Sequence, residues 1–357
     1  MSNALGNKYR VQIFGQSHSP MIGAVIEGVP AGVVPDMDFI SAFMARRAPG
    51  GDALSTARRE ADSPQIVSGL NEQGETCGAP LCALIANTDA RSRDYAALRD
   101  VPRPGHADYA AFVKFGGYND IRGGGQFSGR LTAPLCFAGA LAIQLLQARG
   151  VRVKARVQAI AGIRDIDVDL VAPPLDAIAV QGLPTISPDA ARRMAEAILA
   201  AKSAGDSVGG VVECFATGLP AGLGEPMFDG VENRMARALF GIPAVRGVEF
   251  GLGFAAAELR GSAHNDAFRV SEGRIVTETN RCGGVLGGIT TGMPLAVRAA
   301  FKPTPSIALP QASVSLKRKQ DAPLTVQGRH DPCVVPRAVP CVEAAVACVL
   351  FDLMLEG

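Results

Sequence analysis

A short loop motif occurs twice in this chain, and it constrains the fold more strongly than any other feature. GVPAG at residues 28–32 and GLPAG at residues 218–222 each follow a strand-like segment and lead, through an acidic residue, into a helical pattern that carries arginines. Two copies of one strand–loop–helix unit predict a single core with pseudo-twofold symmetry, in which each sheet has a helix across one face. No linker rich in Ser, Gly and Pro divides the chain, so we predict one domain over residues 5–357.

Hydrophobic periodicity predicts the elements of this unit. The segment KYRVQIFG alternates apolar and polar residues and is typical of a half-buried strand that ends at Gly15. A helix is expected from about Asp36, and it carries Arg46 and Arg47 near its end. Residues 131–147 are apolar nearly all round, which predicts a buried helix that supports the segment before it.

Composition argues against several classes of function. The net charge of +1 argues against a general nucleic-acid binder, because neutralising many phosphates needs an excess of Lys and Arg. The eight cysteines show no C-x-x-C spacing and mostly lie in apolar segments, so we interpret them as buried small hydrophobic residues. There are four histidines, and none is spaced from a cysteine as a ligand set requires, so we predict no metal site.

No membrane segment or export signal is predicted. We find no apolar run long enough, or sufficiently free of charge, to span a bilayer, and the N-terminus lacks the basic-then-apolar order of a signal peptide. We therefore expect a cytoplasmic protein. Residues 1–4, MSNA, resemble a cloning remnant joined to the native start, and we leave them out of the fold.

The residues best suited to chemistry are concentrated in the segment 103–130, RPGHADYAAFVKFGGYNDIRGGGQFSGR. The segment contains Arg103, His106, Arg122 and Arg130, and a glycine triplet at residues 123–125. Glycine permits positive φ and lets backbone amides converge on an anion, while the planar guanidinium matches phosphate or carboxylate. The pattern predicts an anion pocket. The alternative is a glycine-rich turn whose arginines are simply solvated.

Four further segments carry groups suited to the same pocket. His18 follows the first strand, where it can reach into a cleft, and the alternative is a histidine on a surface loop. A second glycine-dense loop, at residues 279–288, implies close approach of the backbone to another group. Residues 302–306, KPTPS, hold a cation and two hydroxyl groups between prolines. Asp331 precedes an apolar C-terminal helix, whose N-terminus favours the charged carboxylate.

Eight motifs resemble, in chain order, those of the chorismate synthase family. They are GQSHS, RRAPG, RPGHADYAAFVKFGGYNDIRGGG, GDSVGG, GLPAGLGEP, GGVLGGITTGMPL, FKPTPS and GRHDPC, and together they cover nearly the whole chain. The resemblance implies an α+β fold with a β-α-β sandwich core, and a homotetramer. It also implies a lyase that removes phosphate from 5-enolpyruvylshikimate 3-phosphate by 1,4-elimination to give chorismate. That reaction needs reduced FMN but causes no net redox change.

The resemblance also implies roles for individual positions. His106 corresponds to the histidine beside the flavin, His18 to the acid near the leaving phosphate, and Asp331 to the carboxylate that helps to remove the ring proton. Imidazole titrates near neutral pH, and a weak base suffices where the flavin is electron-rich. The implied substrate-binding residues are Arg47, Arg103, Arg130 and Arg329. The implied flavin-binding residues are Gln126, Phe127, Ser128, Pro243, Ala244, Gly287, Lys302, Pro303, Thr304, Pro305, Ser306 and Arg329.

Some positions depart from the commoner family pattern. Gln16, Ser19 and Ala53 stand where Glu, Gly and Arg are more usual, and Gln126-Phe127 replaces an Arg-Ser pair at the implied flavin contacts. These departures indicate that substrate and flavin contacts are redistributed in this chain. The site arginines are expected to repel one another in the empty pocket, and bound substrate is expected to relieve that repulsion.

Two other functions remain open alongside the lyase. One is a flavin-dependent oxidoreductase that acts on an anionic phosphorylated substrate in the same pocket, and the other is a non-catalytic phosphate-binding module. Phosphate release without net oxidation of the flavin separates the lyase from the oxidoreductase. The reducing equivalents come either from NADPH at this chain or from an external flavin reductase, and the residues leave that choice open.

Overall fold

The computed structural model of the chain describes residues 3–49, 54–55, 60–88, 97–326 and 330–357, so that Ala53 and Arg329 lie outside the described residues. The strands are β1 (Ala4–Leu5), β2 (Arg10–Phe14), β3 (Met21–Glu27), β4 (Gln65–Ser68), β5 (Leu81–Ala86), β6 (Arg152–Ile160), β7 (Ile163–Arg164), β8 (Gly210–Thr217), β9 (Val245–Phe250), β10 (Phe268–Ser271), β11 (Arg274–Thr277), β12 (Val285–Leu286), β13 (Ile289–Thr290), β14 (Leu295–Phe301), β15 (Gln311–Ser315) and β16 (Gln320–Leu324). The α-helices are α1 (Met37–Ala45), α2 (Asp108–Lys114), α3 (Thr132–Gln147), α4 (Pro188–Ser203), α5 (Val231–Phe240), α6 (Gly261–His264) and α7 (Val335–Glu356).

Two five-stranded sheets have the same arrangement. One has the strand order β1-β2-β3-β5-β4 and the other β7-β6-β8-β14-β9. All pairings in both sheets are antiparallel. Along the chain, β2-β3-α1-β4-β5-α3 in the first half corresponds to β6-β8-α5-β9-β14-α7 in the second. Corresponding strands occupy corresponding places in the two sheets, so the predicted pseudo-twofold repeat is confirmed.

The long helices lie between the two sheets. Helix α3 packs on β2, β3 and β5 of the first sheet, α7 packs on β6 and β8 of the second, and α3 and α7 pack on each other. Helix α1 lies beside α3, and α5 lies beside α7. One hydrophobic cluster includes residues of both sheets and of all four helices. The predicted α+β fold with a β-α-β sandwich core is therefore confirmed.

Two helices begin at residues that satisfy their free amide groups. Asp36 caps α1 by accepting a hydrogen bond from the amide of Phe39 at 2.9 Å. Ser187 caps α4 by accepting from the amide of Ala190 at 3.3 Å, and Pro188 occupies the first turn, where no amide hydrogen is needed. The predicted start of α1 is confirmed.

Two helices contradict the prediction that no apolar run is long enough to cross a membrane. Gly129–Gln147 and Val335–Glu356 both qualify by length and composition, and 83% and 89% of their most apolar windows are buried inside the protein. Their place in the fold explains this, because a helix surrounded by sheets and other helices must be hydrophobic on every side. We interpret both as core helices.

Two of the N-terminal residues belong to the fold, although the sequence led us to leave them out. The carbonyl oxygen of Asn3 accepts a hydrogen bond from the amide of Ile13 at 2.9 Å. Ala4 pairs with Gln12 as part of β1, the edge strand of the first sheet. Residues 3 and 4 therefore pair with the otherwise free edge of β2.

Candidate active site

A cavity of about 490 Å³ opens where the two halves of the repeat meet. Its walls come from the C-terminal ends of α1 and α5, the N-terminal ends of α3 and α7, the end of β14 and the loop before α2. Corresponding ends of the two halves face the same space, so the cavity lies between the halves rather than within one of them. Its volume is typical of a small-molecule site.

The cavity brings together most of the predicted site residues. Its lining includes Arg47, Arg103, His106, Gln126, Phe127, Ser128, Arg130, Pro243, Ala244, Lys302, Thr304, Pro305, Ser306 and Asp331. Of the other predicted residues that the structure describes, His18, Gly287 and Pro303 do not line it. Gly287 lies at the turn between β12 and β13. Arg122 also lies outside the lining, and its half-exposed side chain pairs with Asp120 at 2.8 Å.

Asp108 holds Arg103 and His106 in place at the cavity wall. Its Oδ2 accepts a hydrogen bond from Arg103 Nε at 2.8 Å, and its Oδ1 lies 2.6 Å from His106 Nδ1. Arg103 in turn donates through a terminal nitrogen to the hydroxyl of Ser306 at 3.0 Å. Arg103, Asp108 and Ser306 are buried. The guanidinium and the imidazole are therefore oriented before any ligand arrives.

The carboxyl group of Asp108 stays ionised despite its burial. Burial by itself raises the pKa of this carboxyl, but hydrogen bonds and charge from Arg103 and His106 outweigh burial and hold the pKa well below its usual range. A carboxylate at Nδ1 favours a hydrogen on that nitrogen. A terminal nitrogen of Arg103 also lies 3.1 Å from Nδ1 and 3.3 Å from Nε2 of His106. Nε2 lies on the side of Gly124, where a Cβ atom would be 3.3 Å from that nitrogen.

Arg47 and Arg130 share two carboxylates, of which Glu60 lines the cavity and Asp62 is buried outside its lining. Asp62 accepts hydrogen bonds from Arg47 at 2.6 Å and from Arg130, and Glu60 accepts from Arg130 at 2.8 Å. Arg47 is only 1% exposed. The prediction that the arginines repel one another in the empty pocket is wrong for these two and for Arg103, because each already has a carboxylate partner.

The glycine triplet packs against both predicted catalytic histidines. A Cβ atom on Gly123 would lie 2.7 Å from His18 Nε2, and one on Gly124 would lie close to His106. The three glycines have φ between 55° and 85°, as the sequence predicted. His18 thus lies against Gly123, which itself lines the cavity. The predicted convergence of amides on an anion is not seen at Gly124, whose amide donates to the carbonyl oxygen of Ile121 at 3.1 Å.

Asp331 is paired with a second residue of the cavity wall, Arg337. Arg337 lies in the first turn of α7 and donates a hydrogen bond to Asp331 Oδ2. Its Nε also donates to the carbonyl oxygen of Arg47 at 2.8 Å. Arg337 therefore holds Asp331 at the end of the cavity where Arg47 lies.

Another group of lining residues fits a flavin nucleotide. Phe127 and Phe240 are 37% and 54% exposed, and they offer apolar faces to a flat ring. Lys302 offers a cation to a phosphate, and burial together with the charge of Arg246 lowers the pKa of its amine. The hydroxyl of Thr304 is buried and has no hydrogen-bond partner within the described part of the chain, so a ligand can satisfy it.

The two central helices add a positive field to the cavity. Helices α3 and α7 both begin at its wall, so the N-terminal ends of both helices lie at the same space. The partial positive charge of a helix N-terminus attracts phosphate and carboxylate. The cavity is therefore suited to a substrate with several negative charges.

The family profile described as chorismate synthase matches residues 9–355. The chain belongs to the chorismate synthase family. A chorismate synthase of Thermococcus gammatolerans is 51% identical over 344 residues, which cover 96% of this chain and 95% of that protein. A chorismate synthase of Korarchaeum cryptofilum is 47% identical over 355 residues, which cover 99% and 97% of the two chains. A crystal structure of chorismate synthase matches with a TM-score of 0.76 at 29% identity, over 98% of this chain and 93% of that one.

Membership in the chorismate synthase family confirms the resemblance found in the sequence. The chain is an enzyme, and its class is the lyases that eliminate phosphate. The oxidoreductase alternative is not favoured by these relationships.

Sequence patterns did not reveal the charged partners of the chorismate synthase site residues. These partners are Glu60, Asp62, Asp108 and Arg337. Asp108 lies two positions after His106, so the H-x-D spacing is a signal that could have identified it. No local pattern marks Arg337 or Asp62, because their contacts depend on how distant segments pack.

Proposed function

We propose that this chain binds 5-enolpyruvylshikimate 3-phosphate and reduced FMN in the cavity and eliminates phosphate to give chorismate, the last step of the shikimate pathway. One observation supports this assignment to the cavity above all. Three buried arginines, His106, Asp331 and an apolar wall share one space at the N-termini of α3 and α7. Such a site suits an acid with several negative charges beside a flat aromatic cofactor.

Arg47, Arg103 and Arg130 hold the phosphate and carboxylate groups of the substrate, with two hydrogen bonds per group where the geometry permits. Their carboxylate partners fix the side chains in advance, so that substrate binding orders few groups. Arg329 joins them as a further ligand between substrate and flavin. The flavin is held by Gln126, Phe127, Ser128, Pro243, Ala244, Lys302, Pro303, Thr304, Pro305 and Ser306, and by Gly287 from the second glycine-dense loop.

Proton transfers are divided among three residues. One C–O bond and one C–H bond of the substrate break, phosphate leaves, and the ring proton passes to Asp331. Reduced flavin, when bound, would supply the electron density that lets the C–O bond break without net oxidation. His106 holds a proton beside the flavin ring, and His18 protonates the leaving phosphate at the end of the cavity formed by Gly123.

An anaerobic assay with photoreduced FMN and the phosphorylated substrate tests this proposal. We expect chorismate and phosphate in equal amounts, with the flavin still reduced at the end. Flavin oxidised in proportion to product would support the oxidoreductase instead.

His106→Ala and His18→Ala should each lower turnover by about 100-fold, the lower range for general acid–base catalysis. Near wild-type turnover in both variants would contradict their roles.

Two arginines of one segment give a matched comparison for substrate binding. Arg103→Met removes a buried cation of the cavity, whereas Arg122→Met removes a half-exposed cation outside it. We expect the first substitution to raise the KM for the phosphorylated substrate by at least about tenfold, and the second to leave it within about twofold. Equal effects of the two substitutions would contradict the place assigned to the substrate.

NADPH serves, in our proposal, only as a source of reducing equivalents, used directly or through an external flavin reductase. Incubation of the chain with oxidised FMN, NADPH and substrate under anaerobic conditions separates the two routes. Product formed without an added reductase supports direct reduction. Product formed only with a reductase supports an external partner.

We also propose a homotetramer in the cytoplasm. The hairpin β10–β11 exposes Phe268, Val270 and Ile275 by 68%, 76% and 73%, and such an apolar surface is typical of a subunit contact. All eight cysteines, each of which the structure describes, are unpaired, which fits a reducing compartment. Light scattering should give about four times the chain mass of 37.0 kDa. Ile275→Asp should lower that mass, and a monomeric wild type would contradict the tetramer.

A further inference from the structure

A pair of thiols lies where the two central helices cross. The backbones of α3 and α7 nearly touch at Gly139, where a Cβ atom would lie 2.2 Å from the Cβ of Ala344. Three residues earlier on each helix are Cys136 and Cys341, and their sulfur atoms are 3.8 Å apart. A covalent bond between sulfurs is about 2.05 Å long, so the thiols are reduced but within a small side-chain rotation of each other.

One of the two thiols belongs to a residue of the cavity lining, and two arginines, Arg47 and Arg337, contribute positive charge there. Cys341 lines the cavity, and its sulfur is 3.4 Å from the carbonyl oxygen of Arg337. Cys136 donates a hydrogen bond to the sulfur of Cys341, and this bond lowers the pKa of the Cys341 thiol. Burial acts in the opposite direction, and the charge of Arg47 lowers the pKa further. Burial raises the pKa of the Cys136 thiol. Of the two thiols, only Cys341 belongs to a residue of the cavity lining, so it is the one nearer to a solute in the cavity.

Other buried cysteines provide an internal comparison. Cys348 lies two turns further along α7, and Cys214 lies in β8. Both are buried, neither lines the cavity, and burial raises the pKa of each thiol. Cys77 is exposed and serves as the comparison for surface oxidation.

We propose that Cys136 and Cys341 form an oxidation site, at which a hydroperoxide that enters the cavity converts the two thiols into a disulfide between α3 and α7. The proposal does not depend on the elimination reaction, because it concerns only the thiols and an added oxidant. It adds a covalent modification site to the wall of the cavity.

The reaction proceeds in two balanced steps. The thiolate of Cys341 attacks one oxygen of the peroxide, so that an S–O bond forms, the O–O bond breaks and hydroxide leaves. Cys136 then attacks the sulfenic sulfur, so that an S–S bond forms, the S–O bond breaks and the oxygen leaves as water after taking the thiol proton. The two sulfurs lose two electrons, and the peroxide accepts them.

Mass spectrometry of the full-length chain tests this inference. The reduced protein is treated with hydrogen peroxide, alkylated, and digested with trypsin and a glutamate-specific protease without reduction. Cleavage after Arg337 and Glu343 places Cys341 and Cys348 on different peptides. We expect a peptide pair that joins Cys136 to Cys341, lacks two hydrogens and is released by dithiothreitol. Its formation should be at least about tenfold faster than oxidation of Cys348.

A variant that lacks one thiol separates this site from general oxidation. Cys136→Ala should give no cross-link, and Cys341 should instead accumulate as sulfenic acid that dimedone captures. If circular dichroism shows that this variant does not fold, Cys136→Ser replaces it. The proposal would be overturned if Cys136 and Cys341 remained thiols while Cys77 was oxidised. It would also be overturned if dimedone captured Cys341 no faster than Cys348.

Discussion

Asp108 contacts both Arg103 and His106, yet the proposed mechanism gives it neither a proton to transfer nor a ligand to bind. Its two carboxylate oxygens decide where the guanidinium and the imidazole point. Asp108 is therefore a positioning residue. Its effect on turnover can be measured while both functional side chains remain in the protein.

Asp108→Asn should lower kcat by at least about tenfold. A misplaced imidazole loses part of the rate acceleration, about 10²- to 10⁴-fold, that proton transfer by a positioned side chain contributes. The substitution keeps the size of the side chain but removes its charge. Steady-state kinetics under anaerobic conditions provide the measurement. Asp176→Asn is the matched control, because Asp176 pairs with Arg152 on the surface and away from the cavity. Equal kcat values for the two variants would disprove the positioning role.

Asp108 should also make stability depend on pH. The folded protein lowers the pKa of this carboxyl below its unfolded value of about 3.9, so the charged form stabilises the fold above that value. The contribution is lost as the pH falls through the folded pKa. The difference in free energy of unfolding between wild type and Asp108→Asn should be constant near pH 7 and should shrink below about pH 4. Urea denaturation between pH 7 and pH 3 measures it, and a difference that grows on acidification would contradict the pairing.

At the scale of elements, the crossing of α3 and α7 depends on a residue without a side chain. A Cβ atom on Gly139 would lie 2.3 Å from the Cα of Ala344, so the two helices approach to the limit set by their backbones. Both helices begin at the cavity wall. The separation of their first turns, and with it the width of the cavity, therefore depends on this contact.

Gly139→Ala should destabilise the protein by about 1 to 2 kcal/mol, because the cost of forcing the helices apart exceeds the gain of about 1 kcal/mol in helix propensity. Chemical denaturation measures the change. Gly261→Ala is the control, since a Cβ atom at Gly261 in α6 would meet nothing within 4 Å. That variant should be neutral or slightly more stable. A stabilised Gly139→Ala would show that the helices are not in limiting contact.

At the scale of the whole molecule, the last helix forms hydrogen bonds with the segment that joins β1 to β2. The carboxylate of Asp352 in α7 accepts hydrogen bonds from the amides of Asn7, Lys8 and Tyr9 at 2.9, 2.6 and 2.8 Å. Asp352 is buried. Together with the continuous hydrophobic cluster, these bonds join the two halves of the repeat.

Asp352→Ala should lower the free energy of unfolding by roughly 3 kcal/mol or more, because it leaves three amide groups without an acceptor and each costs about 1 kcal/mol or more when buried. Glu27→Ala is the control, since the exposed pair of Glu27 with Arg10 contributes at most about 1 kcal/mol. Urea denaturation followed by circular dichroism and by tyrosine fluorescence measures both variants.

The wild type should unfold in one transition if residues 5–357 form one domain, and two separate transitions would contradict that prediction.

Local features of this protein could be predicted from the sequence. The start of α1 at Asp36 and the positive φ of Gly123 follow from sterics and hydrogen bonds that act over a few residues. The repeat was visible because two loops of similar composition, at residues 28–32 and 218–222, require similar strands and helices beside them. The histidine and arginines of the 103–130 segment were recognisable because their chemistry is carried by residue type.

Only the tertiary structure decided how the charges are paired and which groups reach the cavity. Asp62 lies beside Arg47 and Arg130, and Arg337 contacts a carbonyl group 290 positions earlier in the chain. His18, by contrast, lies against Gly123 and not on the cavity wall. Many carboxylates were available to each arginine in the sequence. The packing of α1, α3 and α7 selects among them, because partners distant in the chain meet only once the helices occupy the space between the sheets.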